Sequence, residues 1–230
     1  MLKLIKLEIK KFQITHYVRS ALITNFIFIL FLALGFYASQ YEETPFLTSY
    51  KETFYSIDVL TKAIFIIFAA SLLAKMVIGE YKSRTITVLF MYPVKRKALL
   101  AAKLMLVAVF TFTSIVLSDI FISSMFVLIN KAFHFVPDTF ADISFVGLLG
   151  SFILSALTAA GMSWITLYFG MRKKSITATI LSSILIVSVV SSNKGGVYLS
   201  SIIAIPIGLA MLGVLVAYMT IRNIEQVDVG

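Results

Sequence analysis

In 230 residues the chain carries 60% hydrophobic and only 13% charged side chains, with a formal charge of +9. Its mean hydropathy is +0.98. A water-soluble domain of this length does not combine such values, so the composition describes an integral membrane protein. One crossing takes roughly 20 apolar residues for ~30 Å of hydrocarbon; about six crossings therefore fill the chain and leave no room for a soluble catalytic domain. The Lys and Arg residues flank the apolar runs, a pattern of membrane orientation and not of nucleic-acid binding. The lack of Cys removes disulfides, thiol nucleophiles and thiolate metal sites together.

Residues 1–19 combine Lys3, Lys6, Lys10, Lys11 and Arg19 with an apolar stripe at Leu2, Ile5, Ile9 and Phe12. That spacing predicts a helix lying on the cytoplasmic membrane surface, the alternative being the frayed, solvated beginning of the first span. The apolar run from Ala21 to Ala38 superficially resembles the core of a signal peptide, but several further spans follow it, and it reads as a retained first helix at 20–38. An acidic loop with Glu42, Glu43, Glu52 and Asp58 leads to a second span at 59–79, where Lys62 and Lys75 are placed to snorkel. A charged island follows over 80–98. The next apolar run, 99–130, would be roughly 48 Å long as one helix at 1.5 Å per residue, so it tilts or projects. A polar link with His134, Pro137, Asp138 and Asp142 precedes a fourth span at 143–169. Its Gly147, Ser151, Ser155 and Ala159 repeat every fourth residue, a small-residue stripe suited to close helix packing. A basic turn at Arg172 to Lys174 leads into a short Ser/Thr-rich fifth span at 175–190, which either crosses or is re-entrant. The sixth, 197–221, contains Pro206 as an expected kink.

With both termini inside, fourteen Lys and Arg fall in inner segments, and only Lys51, Lys62, Lys131 and Lys194 lie outside. The asymmetry places the 80–98 island in the cytoplasm. In a helix starting near Glu80, Ile86, Leu89 and Phe90 gather on one face while Lys82, Ser83, Arg84 and Thr87 lie largely on the other; Tyr92-Pro93 ends it. Such a segment can lie along the bilayer and offer its polar face to a soluble partner, or serve as a basic loop for acidic headgroups.

Side chains that could carry chemistry are sparse. Only His16 and His134 occur, on opposite sides, and neither HExxH nor GxSxG is present. A Gly-Lys dipeptide never appears, which excludes a phosphate-binding loop of the GxxxxGK[ST] type, so any ATP is used by a partner and no cofactor is expected on this chain. Asp119 is the one acidic residue deep in a span, among Ser114, Ser118, Ser123 and Ser124. It either serves a substrate or proton path or makes an inter-helix hydrogen bond.

The sequence Glu80-x4-Thr85-x3-Leu89-x3-Pro93-x2-Arg96, with Lys103 at the entrance to the next span, resembles the ABC transporter type-2 permease family. The likeness covers the whole chain: a basic N-terminal helix, six spans and cytoplasmic ends. It implies an all-α polytopic membrane protein with a cytoplasmic coupling helix between spans two and three, docking a separate ATP-binding subunit through Glu80, Arg84, Thr85, Leu89, Pro93 and Arg96. Arg84 stands where the family often has Gly. The resemblance further implies a second permease subunit, identical or related, in a bacterial cytoplasmic membrane, and export of peptide antibiotics or similar amphiphiles. The competing reading is a self-contained secondary carrier or channel using Asp119; a membrane-embedded enzyme or scaffold finds less support, because reactive side chains do not cluster.

Overall fold

The first helix, α1 (Leu2–Lys11), is followed after Phe12 by α2 (Ile14–Ser39). A computed structural model describes residues 2–12, 14–39, 49–82, 96–133, 136, 144–194, 197–198 and 202–223. Along α2, Ala21, Asn25, Phe28, Leu32 and Phe36 are buried at helical spacing. Leu22, Phe26, Leu30 and Leu34 on the other face are exposed, as suits a helix at the rim of a bundle in lipid.

Next comes α3 (Tyr50–Leu73), which begins well before the expected start near Val59. The cause is local. Ser49 is an N-cap whose Oγ accepts a hydrogen bond from the Glu52 amide at 3.2 Å, the S-x-x-E arrangement that satisfies the first turn. Asp58 therefore belongs to the helix and not to a loop, and Lys62 is buried instead of snorkelling. At its far end α3 widens into a π turn, Ala74–Ile78, and closes with α4 (Gly79–Lys82).

The long helix α5 (Arg96–Phe133) has 38 residues and measures roughly 57 Å. In its last turn Asn130 holds the departing chain: its side chain donates to the Val136 carbonyl (3.1 Å) and the Tyr50 hydroxyl (2.7 Å) and accepts from the Val136 amide (2.8 Å). The expected fourth span is two helices, α6 (Phe145–Ser163) and α7 (Ile165–Lys173), interrupted at Trp164. There the Ser163 and Thr166 hydroxyls bond carbonyls three residues back, and the Trp164 amide reaches the Gly161 carbonyl in a tightened turn. Lys174 ends α7 in the left-handed region at φ 45°, and Ser175 caps α8 (Ile176–Val190).

The 15 residues of α8 measure roughly 22 Å, short of the ~30 Å hydrocarbon layer. Two-residue strands β1 (Asn193–Lys194) and β2 (Val197–Tyr198) pair antiparallel after it, and α9 (Ala204–Asn223) closes the fold. Pro206 falls in the first turn of α9, where a missing amide hydrogen leaves no ladder bond broken, so it marks a helix start and not a kink. Among the described residues, five helical stretches are long and apolar enough to cross a membrane: Thr15–Ala38, Tyr50–Ile78, Lys97–Phe133, Phe145–Lys173 and Ala204–Arg222. The chain is thus an all-α, multi-pass membrane protein.

Buried apolar residues form three tiers along the bundle. At the end where the basic residues gather, Leu73, Met76, Val77 and Ile78 pack with Leu100, Leu104, Val107 and Leu167, and Ile5, Phe12 and Tyr17 press in from α1 and α2. In the middle, Phe65, Ile66 and Ile115 meet Ala156, Ala159, Met162 and Val190. At the far end Phe28, Phe36, Tyr50, Phe54 and Phe126 form an aromatic cluster, with the Phe36 and Phe126 rings stacked at 5.4 Å. Val190, at the end of α8, packs in the middle tier.

The expected small-residue stripe is divided. Ser155 and Ala159 are buried, whereas Gly147 and Ser151 are exposed. A close helix approach lies further along α6, against α9. A methyl group on Gly161 would stand 2.8 Å from the Ala210 Cβ, and one on Gly213 would overlap the Gly161 carbonyl.

Candidate functional site

The expected coupling island begins at Glu80, and the structure turns that residue inward. Glu80 is 6% exposed and carries two partners: Lys11 of α1, 2.5 Å from its Oε1, and Lys103 of α5, which donates to its Oε2. Lys103 also donates to the Met76 carbonyl at 2.8 Å and pairs with Glu8 of α1 at 3.7 Å. The Lys11 and Lys103 ammoniums both stand over the Phe12 ring, 5.2 and 5.3 Å from its centre.

The π turn explains the Met76 contact. An i→i+5 turn takes carbonyls out of the regular i→i+4 ladder, and Lys103, one helix away, supplies a charged donor to one of them. Lys103 is buried on the helix that carries Leu100, Leu104 and Val107 of the basic-end tier, and its head closes the Glu8 and Glu80 pair. Two carboxylates and two ammoniums balance. Burial pushes the Glu8 carboxyl above its ordinary value, and the Lys103 ammonium opposes that shift. The four residues tie α1, the end of α3 and the start of α5 into one junction. Nearby, the Lys75 ammonium lies 5.6 Å from the Tyr17 ring centre and joins α3 to α2.

This junction brackets the rest of the island. Lys82 ends the last helical turn before it and Arg96 opens α5 after it. Of the residues expected to contact a partner, Arg84, Thr85, Leu89 and Pro93 lie outside the described residues, and so does His134. Glu80, placed in the same group, is held inside the bundle. Glu8 was missed by sequence reasoning, although Ile5, Glu8 and Phe12 follow one another at spacings of three and four; an acid on the apolar stripe of a surface helix is a legible anomaly.

Asp119 is fully enclosed, at 0% exposure between the middle and far tiers. Its neighbours are Asp58, Thr61 and Lys62 on α3, and the Ser155 hydroxyl of α6 faces Asp58 in turn. Lys62 lies 3.3 Å from Asp58 Oδ2. Asp58 and Lys62 were not read as partners of Asp119, because both were assigned to the outer loop or its edge. Among the described residues no cluster of His, Asp and Glu could hold a metal ion.

Residues 4–189 match the family described as ABC-2 family transporter protein. Over 227 residues the chain is 39% identical to the uncharacterized protein YcbO of Bacillus subtilis (strain 168), covering 99% of this chain and all of the relative. No solved structure matches. Taken with the all-α multi-pass fold and the charged junction between its second and third spans, these matches identify the chain as a member of the ABC-2 transporter family, a permease component of an ABC transporter.

Proposed function

We propose that this chain is the permease subunit of an ATP-driven exporter in a bacterial cytoplasmic membrane, with both termini inside. Two such subunits, identical or related, form the pathway, and two separate ATP-binding subunits supply the work. Each ATP-binding subunit docks on residues 83–95 through Arg84, Thr85, Leu89 and Pro93, with Glu80 and Arg96 at the two borders of the stretch. The cargo is a peptide antibiotic or similar amphiphile, and its removal confers resistance.

The observation that carries this reading is the Glu8–Lys11–Glu80–Lys103 junction, in which Glu80 stands three residues before that stretch and Lys103 eight residues after it. A push on 83–95 is delivered where three membrane elements are already joined by charge, so it moves α1, α3 and α5 together. Glu80 thus transmits the push instead of touching the partner. The π turn just before it is a packing defect in a long helix, a natural place for such a movement to be taken up.

Co-purification and transport in proteoliposomes test the assignment. Arg84→Glu is expected to lose the ATP-binding subunit. Glu80→Gln is expected to retain it and to hydrolyse ATP with transport reduced at least tenfold. Full coupled transport in both variants overturns the reading. Transport by the purified chain alone, driven by an ion gradient and abolished in Asp119→Asn, would replace it with the carrier alternative.

A further inference from the structure

The second buried charge cluster has a composition that the bundle alone does not balance. Asp58, Lys62 and Asp119 are 9%, 4% and 0% exposed, and together they sum to one negative charge when all three are ionised. Both Asp119 oxygens, Asp58 Oδ1, and the hydroxyls of Thr61, Ser123 and Ser155 are buried with no hydrogen-bond partner among the described residues. An uncompensated carboxylate at this depth costs several kcal/mol.

The helices packed against α3 and α5 offer no other cation at this level. On α6 and α8 there is no charged residue. His16 and Arg19 lie near the start of α2, Lys51 and Glu52 at the start of α3, Lys131 at the end of α5, Arg172 and Lys173 at the end of α7, and Arg222 near the end of α9. Lys75, Lys97 and the junction residues belong to the basic end. What the cluster lacks among the described residues is one positive charge, and with Asp119 wholly enclosed a proton is the smallest species that supplies it.

We propose that Asp58, Lys62 and Asp119 form a membrane-embedded proton-binding site that holds one proton between its two carboxyl groups while α3 and α5 are packed together. With the proton on Asp119, its O–H supplies a donor for Asp58 Oδ1, and the Thr61 and Ser155 hydroxyls are left to serve the remaining acceptors. Only a proton is gained, drawn from water, and no bond between heavy atoms changes. Loss of that proton and separation of α3 from α5 favour each other, because ionising Asp119 in the closed bundle leaves a second carboxylate unpaired. This inference rests neither on an ATP-binding partner nor on the direction of transport.

Infrared difference spectroscopy on the full chain in lipid nanodiscs at neutral pH tests it through the carbonyl stretch of a protonated carboxylic acid, identified by its shift in D2O. The wild type is expected to show one such band that Asp119→Asn removes. Asp58→Asn should remove it too, because the remaining Asp119 then ionises against Lys62. Lys62→Gln should double the band by leaving two carboxyls with no ammonium. Asp119→Asn preserves shape, so it and Lys62→Gln carry the test if Asp58→Asn fails to fold. The proposal is overturned by a wild-type spectrum that Asp119→Asn leaves unchanged. It is equally overturned by a band that survives at full intensity in Asp58→Asn or is not increased in Lys62→Gln.

Discussion

The junction at the basic end and the cluster in the far half use the same ingredients, lysines and carboxylates sealed between helices, yet they are wired differently. In the junction two acids meet two lysines, each Glu80 oxygen has an ammonium, and Lys103 is spent on three acceptors contributed by α1, α4 and the π turn. In the far cluster Lys62 pairs with Asp58, and Asp119 has neighbouring hydroxyls but no ion pair of its own among the described residues. The first arrangement joins elements; the second stores an imbalance. Within the junction Glu80 is answered by two ammoniums and Glu8 only by the more distant Lys103, so a proton enters the junction at Glu8, as it enters the far cluster at a carboxylate with no cation of its own.

Breaking the junction should cost most. Lys103→Met strands Glu8 and Glu80 in an apolar tier and leaves the Met76 carbonyl without its charged donor, and removing one partner of such a buried pair costs about 3–5 kcal/mol. Thermal unfolding in detergent should show a large drop in midpoint and reduced accumulation in membranes; a shift within error would mean that water serves those carboxylates. Glu80→Gln keeps the shape but trades two charge-assisted contacts for neutral ones, an effect of about 1.5–3 kcal/mol. Combined with Lys103→Met it should add less than its single-variant cost, since the pair acts as one unit. Full additivity in that double-variant cycle would show that Glu80 and Lys103 do not depend on each other.

How much of this was legible follows from where each charge sits relative to helix boundaries. Apolar run lengths announced the spans, and Lys103 and Glu80 were marked by their place beside the island. The far cluster was hidden because the acidic stretch Glu42 to Asp58 read as loop, when the S-x-x-E cap at Ser49 starts the helix early enough to carry Asp58 and Lys62 inside. Their spacing of four on one face then becomes the signal of an intrahelical pair. Moving Lys62 into the bundle also removes it from the far-side basic count. The break at Trp164 had no comparable signal: Ser163, Thr166 and Gly161 each permit a tightened turn, but it is the close passage of Gly213 that makes this turn a contact point. Gly147 and Ser151 show the converse, since a small-residue stripe states what can approach and not how far along the helix a neighbour follows it.

The pH response sharpens the contrast at smaller amplitude. Glu8 lies outside the membrane-spanning stretches, and burial raises its carboxyl above the ordinary 4.5. Since the folded form binds this proton more readily than the unfolded form, the stabilising contribution of Glu8 is fully present below 4.5 and is lost as pH rises through the folded value. Acidifying from neutral should therefore raise the unfolding midpoint of the wild type relative to Glu8→Gln. If the difference between the two proteins is the same at pH 7 and pH 5, the Glu8 carboxyl does not titrate differently in the folded state.

The smallest effect is expected where an isolated buried acid would suggest the largest. Asp119→Asn replaces a carboxyl that carries a proton with an amide of nearly the same shape, still able to donate toward Asp58 and accept from Thr61. Its cost to stability should stay under about 1 kcal/mol, because a like-for-like exchange strands neither partner. Were Asp119 ionised beside the Asp58–Lys62 pair, the same change would remove an uncompensated buried charge and should stabilise the bundle by several kcal/mol. Measured side by side in one lipid, the two substitutions read out the wiring directly: a gain in stability from Asp119→Asn would mark an ionised carboxylate with no cation of its own, and a near-neutral Asp119→Asn beside a costly Glu80→Gln would separate a charge that binds helices from a carboxyl that holds a proton.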